Sequence, residues 1–210
     1  MIDKPDASPV TIADREAEAA MRALIAARFP AHGIVGEEYG REREDAEFVL
    51  VLDPIDGTKS FISGVPLFGT LIALAHRGRP ILGIIDQPIS RERWIGAAGR
   101  PTTLNGAAVR CRACPALAAA TVFATSPDMF RGADAAAFVR MAGAAKLVRF
   151  GADCYAYGLL ALGCIDLVIE AAGGITTDWQ GRPLGLHAGS RVVCSGDRRV
   201  HEAALDLLGD

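Results

Sequence analysis

A short apolar run followed by two acids constrains the fold of this chain more than any other feature. Residues 48–52, Phe48-Val49-Leu50-Val51-Leu52, are rich in types that favour β-structure, and Asp53-Pro54 follows them directly. The pattern predicts a buried strand that the proline terminates. The acidic residues would then lie at the carboxyl end of that strand.

Other short patterns fill the rest of the chain. Apolar residues recur with helical periodicity over residues 11–29, and Thr11 and Asp14 have capping-box spacing at the start of this segment. Further elements are predicted as strands at 70–75, 81–85, 93–97, 120–124, near 147, 165–169 and 192–194, and as helices at 133–144, 153–162 and 202–208. We therefore expect an α+β half over residues 1–110 and an α/β half over residues 111–210, packed as one globular unit.

Composition excludes several classes of function. Half of the 210 residues are hydrophobic, which suffices for a real core, and the net charge is −3 with scattered charges. Nucleic acid is an unfavoured partner for such a surface. No apolar run approaches the ~20 residues of a membrane span, and Met1-Ile2-Asp3-Lys4-Pro5-Asp6 lacks a signal core. We expect a cytoplasmic protein with no membrane partner.

The five cysteines are odd in number and dispersed, so a disulfide framework is not predicted. Cys111 and Cys114 form a CxxC pair, but no second Cys or His pair follows at zinc-finger spacing. Two surface thiols near a turn are favoured over a zinc site.

Residues 53–58, Asp53-Pro54-Ile55-Asp56-Gly57-Thr58, carry the most chemistry. Two carboxylates across a proline turn can converge on a divalent cation, with the Ile55 carbonyl as a further oxygen ligand. Gly57 and Thr58 would offer free N–H groups to phosphate at the start of a short helix. An ordinary acidic surface turn is the alternative for this run alone, and the nearby Glu37-Glu38 pair and the Asp14 segment weigh against it.

These motifs resemble those of the inositol monophosphatase superfamily in order and spacing. The resemblance covers nearly the whole chain and rests on residues 4–14, 36–38, 53–58, 104–106 and 172–174, followed by Asp178. It implies a layered helix-sheet-helix-sheet-helix fold, combining α+β and α/β features, and a homodimer. Residues 58–64 and 151–155 resemble the histidinol-phosphatase branch of the superfamily.

The resemblance also implies a magnesium-dependent phosphomonoesterase with two or three Mg²⁺ ions. Glu37, Asp53 and the Ile55 carbonyl would hold one ion, and Asp53 and Asp56 would share a second. Thr58, hydrogen-bonded to Asp14, would orient a metal-activated water that attacks the phosphorus, with the Gly57 and Thr58 N–H groups binding the phosphate. A purely structural role in the capping box is the alternative for Asp14.

The chain departs from the superfamily pattern at one point. A metal-binding aspartate is expected just before the Gly173-Gly174 turn, but Ile169-Glu170-Ala171 runs directly into that turn. The opening helix that normally precedes Lys4 is also absent. If the segment is missing from the protein, the second metal loses a ligand; Asp166 and Asp178 are the nearest carboxylates, and neither occupies the expected position.

Asp153 and Arg149 are the predicted substrate-binding residues. By resemblance their segment faces the leaving-group alcohol, where a carboxylate at Asp153 would suit a cationic amino alcohol such as histidinol. Helix N-capping is the alternative for Asp153, and a solvated charge is the alternative for Arg149. The leading hypothesis is a histidinol-phosphate phosphatase of histidine biosynthesis. The alternatives are a phosphatase for inositol phosphate or another sugar phosphate, and a non-catalytic phosphate- or metal-binding protein.

Overall fold

A computed structural model describes residues 2–3, 9–170, 177–180, 182 and 191–208 of the chain. The chain divides into two compact units, Met1–Ala108 and Val109–Asp210. The predicted halves 1–110 and 111–210 and their packing as one globular unit stay predictions. No helix of the described residues is long and apolar enough to cross a membrane.

The first unit is built on a mixed sheet of eight strands. Its elements, in chain order, are β1 (Ile2–Asp3), β2 (Pro9–Val10), α1 (Ile12–Arg28), β3 (Gly33–Gly36), β4 (Gly40–Glu42), β5 (Phe48–Asp56), α2 (Thr58–Ile62), β6 (Gly69–His76), β7 (Arg79–Gln87), β8 (Glu92–Ala97), β9 (Thr103–Leu104) and β10 (Ala107–Ala108). The sheet order is β10-β9-β8-β7-β6-β5-β3-β4, and β1 and β2 form a separate antiparallel pair. Within the large sheet β3 and β5 run parallel and the other neighbours antiparallel.

Helix α1 packs against this sheet through its apolar stripe. Ile25 of α1 is buried together with Ile34 of β3 and Leu52 of β5, and Met21 packs against the same cluster. Thr11 caps the helix in a capping box with Asp14, as the sequence predicts. The start of α1 is therefore fixed by a local contact.

The second unit is a four-stranded sheet covered by helices on both faces. Its elements are β11 (Thr121–Ala124), α3 (Ala133–Ala144), β12 (Leu147–Phe150), α4 (Tyr155–Ala161), β13 (Leu167–Glu170), β14 (Val192–Ser195) and α5 (Arg198–Leu208). The sheet order is β12-β11-β13-β14; β11 is parallel to β12 and β13, and β14 is antiparallel to β13.

Alternation along the central strands explains the two covered faces. Val122 of β11 belongs to the core that includes Met141 of α3 and Val200 of α5, whereas its neighbour Phe123 lies in the cluster with Leu160 of α4. Successive side chains of a strand point to opposite faces, so a continuous apolar run buries both sides of the sheet. The α+β layered fold class is confirmed.

The two largest errors in the predicted boundaries have identifiable reasons. Strand β5 continues through Pro54 to Asp56, because the pairing with β6 absorbs the proline in a register shift. Helix α5 begins at Arg198, four residues earlier than predicted, where Arg198 and Glu202 form an i,i+4 ion pair.

Candidate active site

The end of β5 holds Asp53 and Asp56 on a bulge. Asp53 lies opposite Leu71 of β6 and Asp56 opposite Gly69, so three residue steps on β5 match two on β6. A bulge of this kind bends the strand and re-aims its side chains. The proline between the two acids therefore sits inside a strand whose local direction is altered.

Gly57 turns the chain from β5 into α2. Its φ of 83° and ψ of 38° lie in the left-handed region, which glycine adopts without a steric penalty. It caps α2, which begins at Thr58, so the predicted short helix is present. The backbone N–H groups assigned to phosphate binding lie at this helix start.

The hydroxyl of Thr58 has a different partner from the expected one. Thr58 Oγ1 donates to the carbonyl oxygen of Ile55 at 3.1 Å, whereas Asp14 accepts hydrogen bonds from Thr11. The expected bond between Thr58 and Asp14 is wrong for this structure, because a hydroxyl in the first turn of α2 reaches the carbonyl three residues back. The Ile55 oxygen is thus tied to the residue predicted to orient water.

Parallel pairing brings Glu37 to the same place. Gly36 pairs with Leu52, and the Glu37 N–H donates to the Leu52 carbonyl at 3.2 Å. Because Asp53 follows Leu52, the side chains of Glu37 and Asp53 leave neighbouring strands at the same end of the sheet.

Asp14 is almost fully buried, with 1% of its surface exposed. Its Oδ2 accepts the backbone N–H of Thr11 at 2.8 Å and the Thr11 hydroxyl at 2.5 Å. The capping role considered as its alternative is therefore present, and it fixes the Asp14 carboxylate at the start of α1.

The electrostatics of Asp53 show that these acids act on one another. The pKa of Asp53 is raised to about 9, mainly by burial and then by the charges of Asp56, Glu37 and Asp14 and a side-chain hydrogen bond with Glu37. The buried Oδ1 of Asp53 has no hydrogen-bond partner. A buried polar atom in this condition is costly unless a ligand satisfies it. The cluster of acids therefore has an excess of negative charge.

The donor set fits a hard divalent cation. Magnesium binds carboxylate and carbonyl oxygens, and the candidates are the side chains of Glu37, Asp53 and Asp56 with the carbonyl of Ile55. Within the described part of the chain, no three or more His, Cys, Asp or Glu side chains are already arranged to hold a metal. The acids are nevertheless close enough for their charges to act on Asp53.

Arg149 and Asp153 belong to the second unit. Arg149 lies on β12 with its guanidinium carbon 5.9 Å from the centroid of the Phe123 ring. Asp153 has a positive φ of 44°, an uncommon conformation for a residue other than glycine. The residue at the N-cap of α4 is Cys154, which makes no side-chain capping bond.

The carboxylates near the expected missing aspartate are engaged elsewhere. Asp166 binds the guanidinium of Arg112 and accepts the Thr121 N–H at 2.7 Å. Asp178 accepts the N–H groups of Gln180 and Arg182, each at 2.9 Å. Neither substitutes for a metal ligand here. Residues 171–176, which include the Gly173-Gly174 turn, lie outside the described residues, as do residues 4–8 of the first motif.

The cysteines differ in exposure from what the sequence predicts. All five are free thiols, and Cys111 is exposed as expected, but Cys114 is buried rather than at the surface. Its N–H donates to Asp197 at 3.0 Å, which holds this segment against the second unit's own core.

Sequence reasoning missed Glu18, which is completely buried beside the site. Its carboxylate accepts the backbone N–H groups of Glu38 and Tyr39, in the turn that carries Glu37. One signal was present in the sequence: Glu18 lies on the same helical stripe as Asp14 and Ile25, where an apolar residue would be expected.

Comparison with known proteins decides the family. The model of the inositol monophosphatase family matches residues 3–170. The chain belongs to the inositol monophosphatase family. The match ends at Glu170, directly before the point where the sequence departs from the superfamily pattern. The chain is a phosphatase of this superfamily.

Three similar proteins illustrate the range of the family. The chloroplastic bifunctional phosphatase IMPL2 of Arabidopsis thaliana is 48% identical over an alignment that covers 99% of this chain and 67% of the relative. The histidinol-phosphatase of Chlorobaculum parvum is 35% identical, covering 87% and 77%. An inositol monophosphatase structure from Zymomonas mobilis is 43% identical with a TM-score of 0.89, covering 100% of this chain and 88% of that one.

The Arabidopsis alignment is longer than this chain. It spans 233 positions, more than the 210 residues of this chain, so part of the aligned relative has no counterpart here.

Proposed function

We propose that the protein hydrolyses L-histidinol phosphate to L-histidinol and phosphate in a magnesium-dependent reaction. Glu37, Asp53, Asp56 and the Ile55 carbonyl would hold two or three Mg²⁺ ions. The observation that carries the phosphatase chemistry is the buried, unpartnered Oδ1 of Asp53 within a cluster of acids. Such a cluster becomes favourable when cations neutralise it.

Each group around the acidic cluster would have its own role in the hydrolysis. Magnesium, when bound, would acidify water and offset the negative charge of the phosphoryl group. The N–H groups of Gly57 and Thr58, at the start of α2, would bind the phosphoryl oxygens. The Thr58 hydroxyl, which donates to the Ile55 carbonyl, would accept a hydrogen bond from the attacking water and so orient it, with Asp14 as a nearby fixed negative charge.

The substrate proposal depends on Asp153. A carboxylate that meets an ammonium group gains a charge-assisted hydrogen bond, which a neutral polyol does not provide. The positive φ of Asp153 is compatible with a functional constraint, since strained backbone concentrates at binding and catalytic positions. The similarity to the Chlorobaculum histidinol-phosphatase supports the same choice.

Inositol phosphate is the second candidate substrate. The Zymomonas inositol monophosphatase is more similar in sequence, at 43%, than the Chlorobaculum histidinol-phosphatase, at 35%. The two candidates differ in the charge of the leaving alcohol, so they can be separated by direct comparison. The homodimer and the cytoplasmic location stay predictions; the Arabidopsis relative is chloroplastic.

The test is turnover of both esters by one preparation. Purified protein with Mg²⁺ should release phosphate from histidinol phosphate at least about ten times faster than from inositol 1-phosphate. An Asp53→Asn variant purified in the same way supplies the blank for contaminating phosphatases. The reverse ranking would reject the substrate, and stoichiometric uptake of ester with Mg²⁺ but no phosphate over hours would assign a non-catalytic binding protein.

A further inference from the structure

The hairpin turn that carries Glu37 is closed around a buried carboxylate from another element. Strands β3 and β4 are joined by residues 37–39, and the N–H groups of Glu38 and Tyr39 both point at Glu18 of α1. Glu38 donates to Oε2 at 2.7 Å and Tyr39 to Oε1 at 3.2 Å. Each carboxylate oxygen of Glu18 therefore holds one backbone group of the turn.

Arg22 completes this link one helical turn further along α1. Its Nε donates to Glu18 Oε1 at 2.8 Å, which compensates the buried charge, and its terminal nitrogen donates to the carbonyl of Gly40. Gly40 is the first residue of β4. Glu18 and Arg22 of α1 therefore bind both the N–H groups of the turn and the carbonyl that follows it.

The backbone of the turn is shaped to admit the Glu18 carboxylate. A Cβ atom at Gly36 would lie 1.9 Å from Glu18 Oε1 and 2.8 Å from the terminal nitrogen of Arg22. Real Cβ atoms do not approach other atoms so closely. Glycine at the residue before Glu37 is therefore required by the contact with Glu18, not by an unusual φ.

We propose that Glu18, together with Arg22, is a positioning residue that holds Glu37 for metal binding and so sets the magnesium affinity of the site. The inference rests on the proposed function, because it takes Glu37 as a metal ligand. Without Glu18, the N–H groups of Glu38 and Tyr39 lose their acceptor and the turn loses its anchor to α1. The metal would then have to order Glu37 as it binds. Substitution of a residue that orients a metal ligand in this way typically weakens metal binding by about 10–100-fold.

A buried carboxylate could also serve stability alone, so the test needs a matched control. Asp166 of the second unit is buried, is paired with Arg112 and accepts the backbone N–H of Thr121. It has the same chemistry as Glu18, but the N–H that it holds belongs to β11 and not to the turn of Glu37. Asp166→Asn therefore reproduces the loss of a buried acceptor without touching that turn.

The experiment measures magnesium binding by calorimetry on metal-free protein without substrate. Glu18→Gln keeps the shape of the side chain but removes its charge and one of its acceptor oxygens. We expect it to weaken Mg²⁺ binding at least about tenfold and to speed amide hydrogen exchange at Glu38 and Tyr39. Asp166→Asn should lower the melting temperature comparably while leaving Mg²⁺ affinity within about twofold of wild type.

The outcomes separate this inference from the proposed function. If wild type turns over a phosphate ester and Glu18→Gln binds Mg²⁺ like wild type, the positioning role is overturned and the function stands. If wild type binds Mg²⁺ but hydrolyses no ester, weaker binding by Glu18→Gln still supports the positioning role. Should Glu18→Gln fail to fold, Arg22→Gln decides in the same assay: weakened Mg²⁺ binding supports the inference and unchanged binding overturns it.

Discussion

The hydroxyl of Thr70 donates a 2.8 Å hydrogen bond to the carbonyl oxygen of Pro54. Pro54 is buried and lies where the pairing of β5 and β6 shifts register, between Asp53 and Asp56. A proline cannot donate to the ladder, and the bulge separates its carbonyl from a regular partner. The Thr70 hydroxyl supplies the donor that the Pro54 carbonyl lacks, and so fixes the backbone between Asp53 and Asp56.

Replacing Thr70 by Val should therefore weaken both the fold and the site. Valine has nearly the same shape but leaves the Pro54 carbonyl without its donor, which costs about 1–3 kcal/mol. Urea unfolding would measure the loss, and kcat/KM should fall by about tenfold. Thr70→Ser keeps a hydroxyl and is the control; equal losses in the two variants would show that the hydrogen bond does not matter.

Gly36→Ala should be strongly destabilising although alanine is a small residue. The added Cβ would meet Glu18 Oε1 at 1.9 Å, so the backbone or the buried carboxylate must move. Overpacking of this kind costs about 1–3 kcal/mol, measurable as a shift in the urea midpoint. Gly83→Ala in β7 is the matched control, because nothing lies within 4 Å of the position of its Cβ. Similar effects of the two substitutions would contradict the argument.

Asp53→Asn should stabilise the metal-free protein. With its pKa raised to about 9, the Asp53 carboxyl must take up a proton when the chain folds at neutral pH, and a neutral amide avoids this cost. In a chelating buffer we expect the melting temperature to rise by about 2–4 °C, which for a chain of this size corresponds to roughly 1 kcal/mol. Added Mg²⁺ should raise the melting temperature of wild type but not of the variant.

The control for this prediction is Asp45→Asn, which removes an exposed carboxylate from the same unit. It should change stability by less than about 0.5 kcal/mol in either buffer. A lower melting temperature for Asp53→Asn without metal would show that Asp53 makes favourable contacts that outweigh the cost of protonating it.

Local sequence patterns predicted the structure correctly where the residues of an element themselves determine its conformation. Helix α3 has the predicted bounds, 133–144, and the capping box of Thr11 and Asp14 is formed as expected. The acids of residues 53–56 were also placed at the carboxyl end of β5 from sequence. In these cases neighbours in sequence decide the conformation.

Prediction failed where the deciding partner is distant in sequence. The strand was expected to end at Pro54, but it continues because Thr70, on the next strand, supplies a donor. Glu18 and Arg22 have the spacing of a solvated i,i+4 ion pair, and only the turn at Glu38 and Tyr39 shows why the pair is buried. Such contacts need the tertiary structure.

The ion pair of Asp166 and Arg112 should give the protein a specific dependence on acid. Burial disfavours the charged form, but hydrogen bonds from Arg112 and from the Thr121 N–H outweigh it and lower the pKa of Asp166. A lowered pKa in the folded state means that the stabilisation is present above the ordinary aspartate pKa of about 3.9. It is lost as the pH falls through the lower folded value.

Asp166→Asn should therefore cost about 2 kcal/mol at pH 7, and the difference from wild type should shrink below about pH 4. Urea unfolding at a series of pH values would measure it. Glu202→Gln, which breaks an exposed pair with Arg198, should cost less than about 1 kcal/mol. A difference for Asp166→Asn that stays constant down to pH 3 would contradict the role of its charge.

Asp153→Asn should change the choice of substrate more than the chemistry. If the carboxylate binds the ammonium group of histidinol phosphate, losing the charge removes about 1.5–3 kcal/mol, or roughly 10–100-fold in kcat/KM for that ester. Turnover of inositol 1-phosphate should stay within about threefold, because a neutral alcohol gains little from the charge. Asp128→Asn, an exposed acid of the same unit, is the control and should alter neither rate. Equal losses with both esters would show that Asp153 supports the fold of its segment, and no loss with either would remove it from the substrate site.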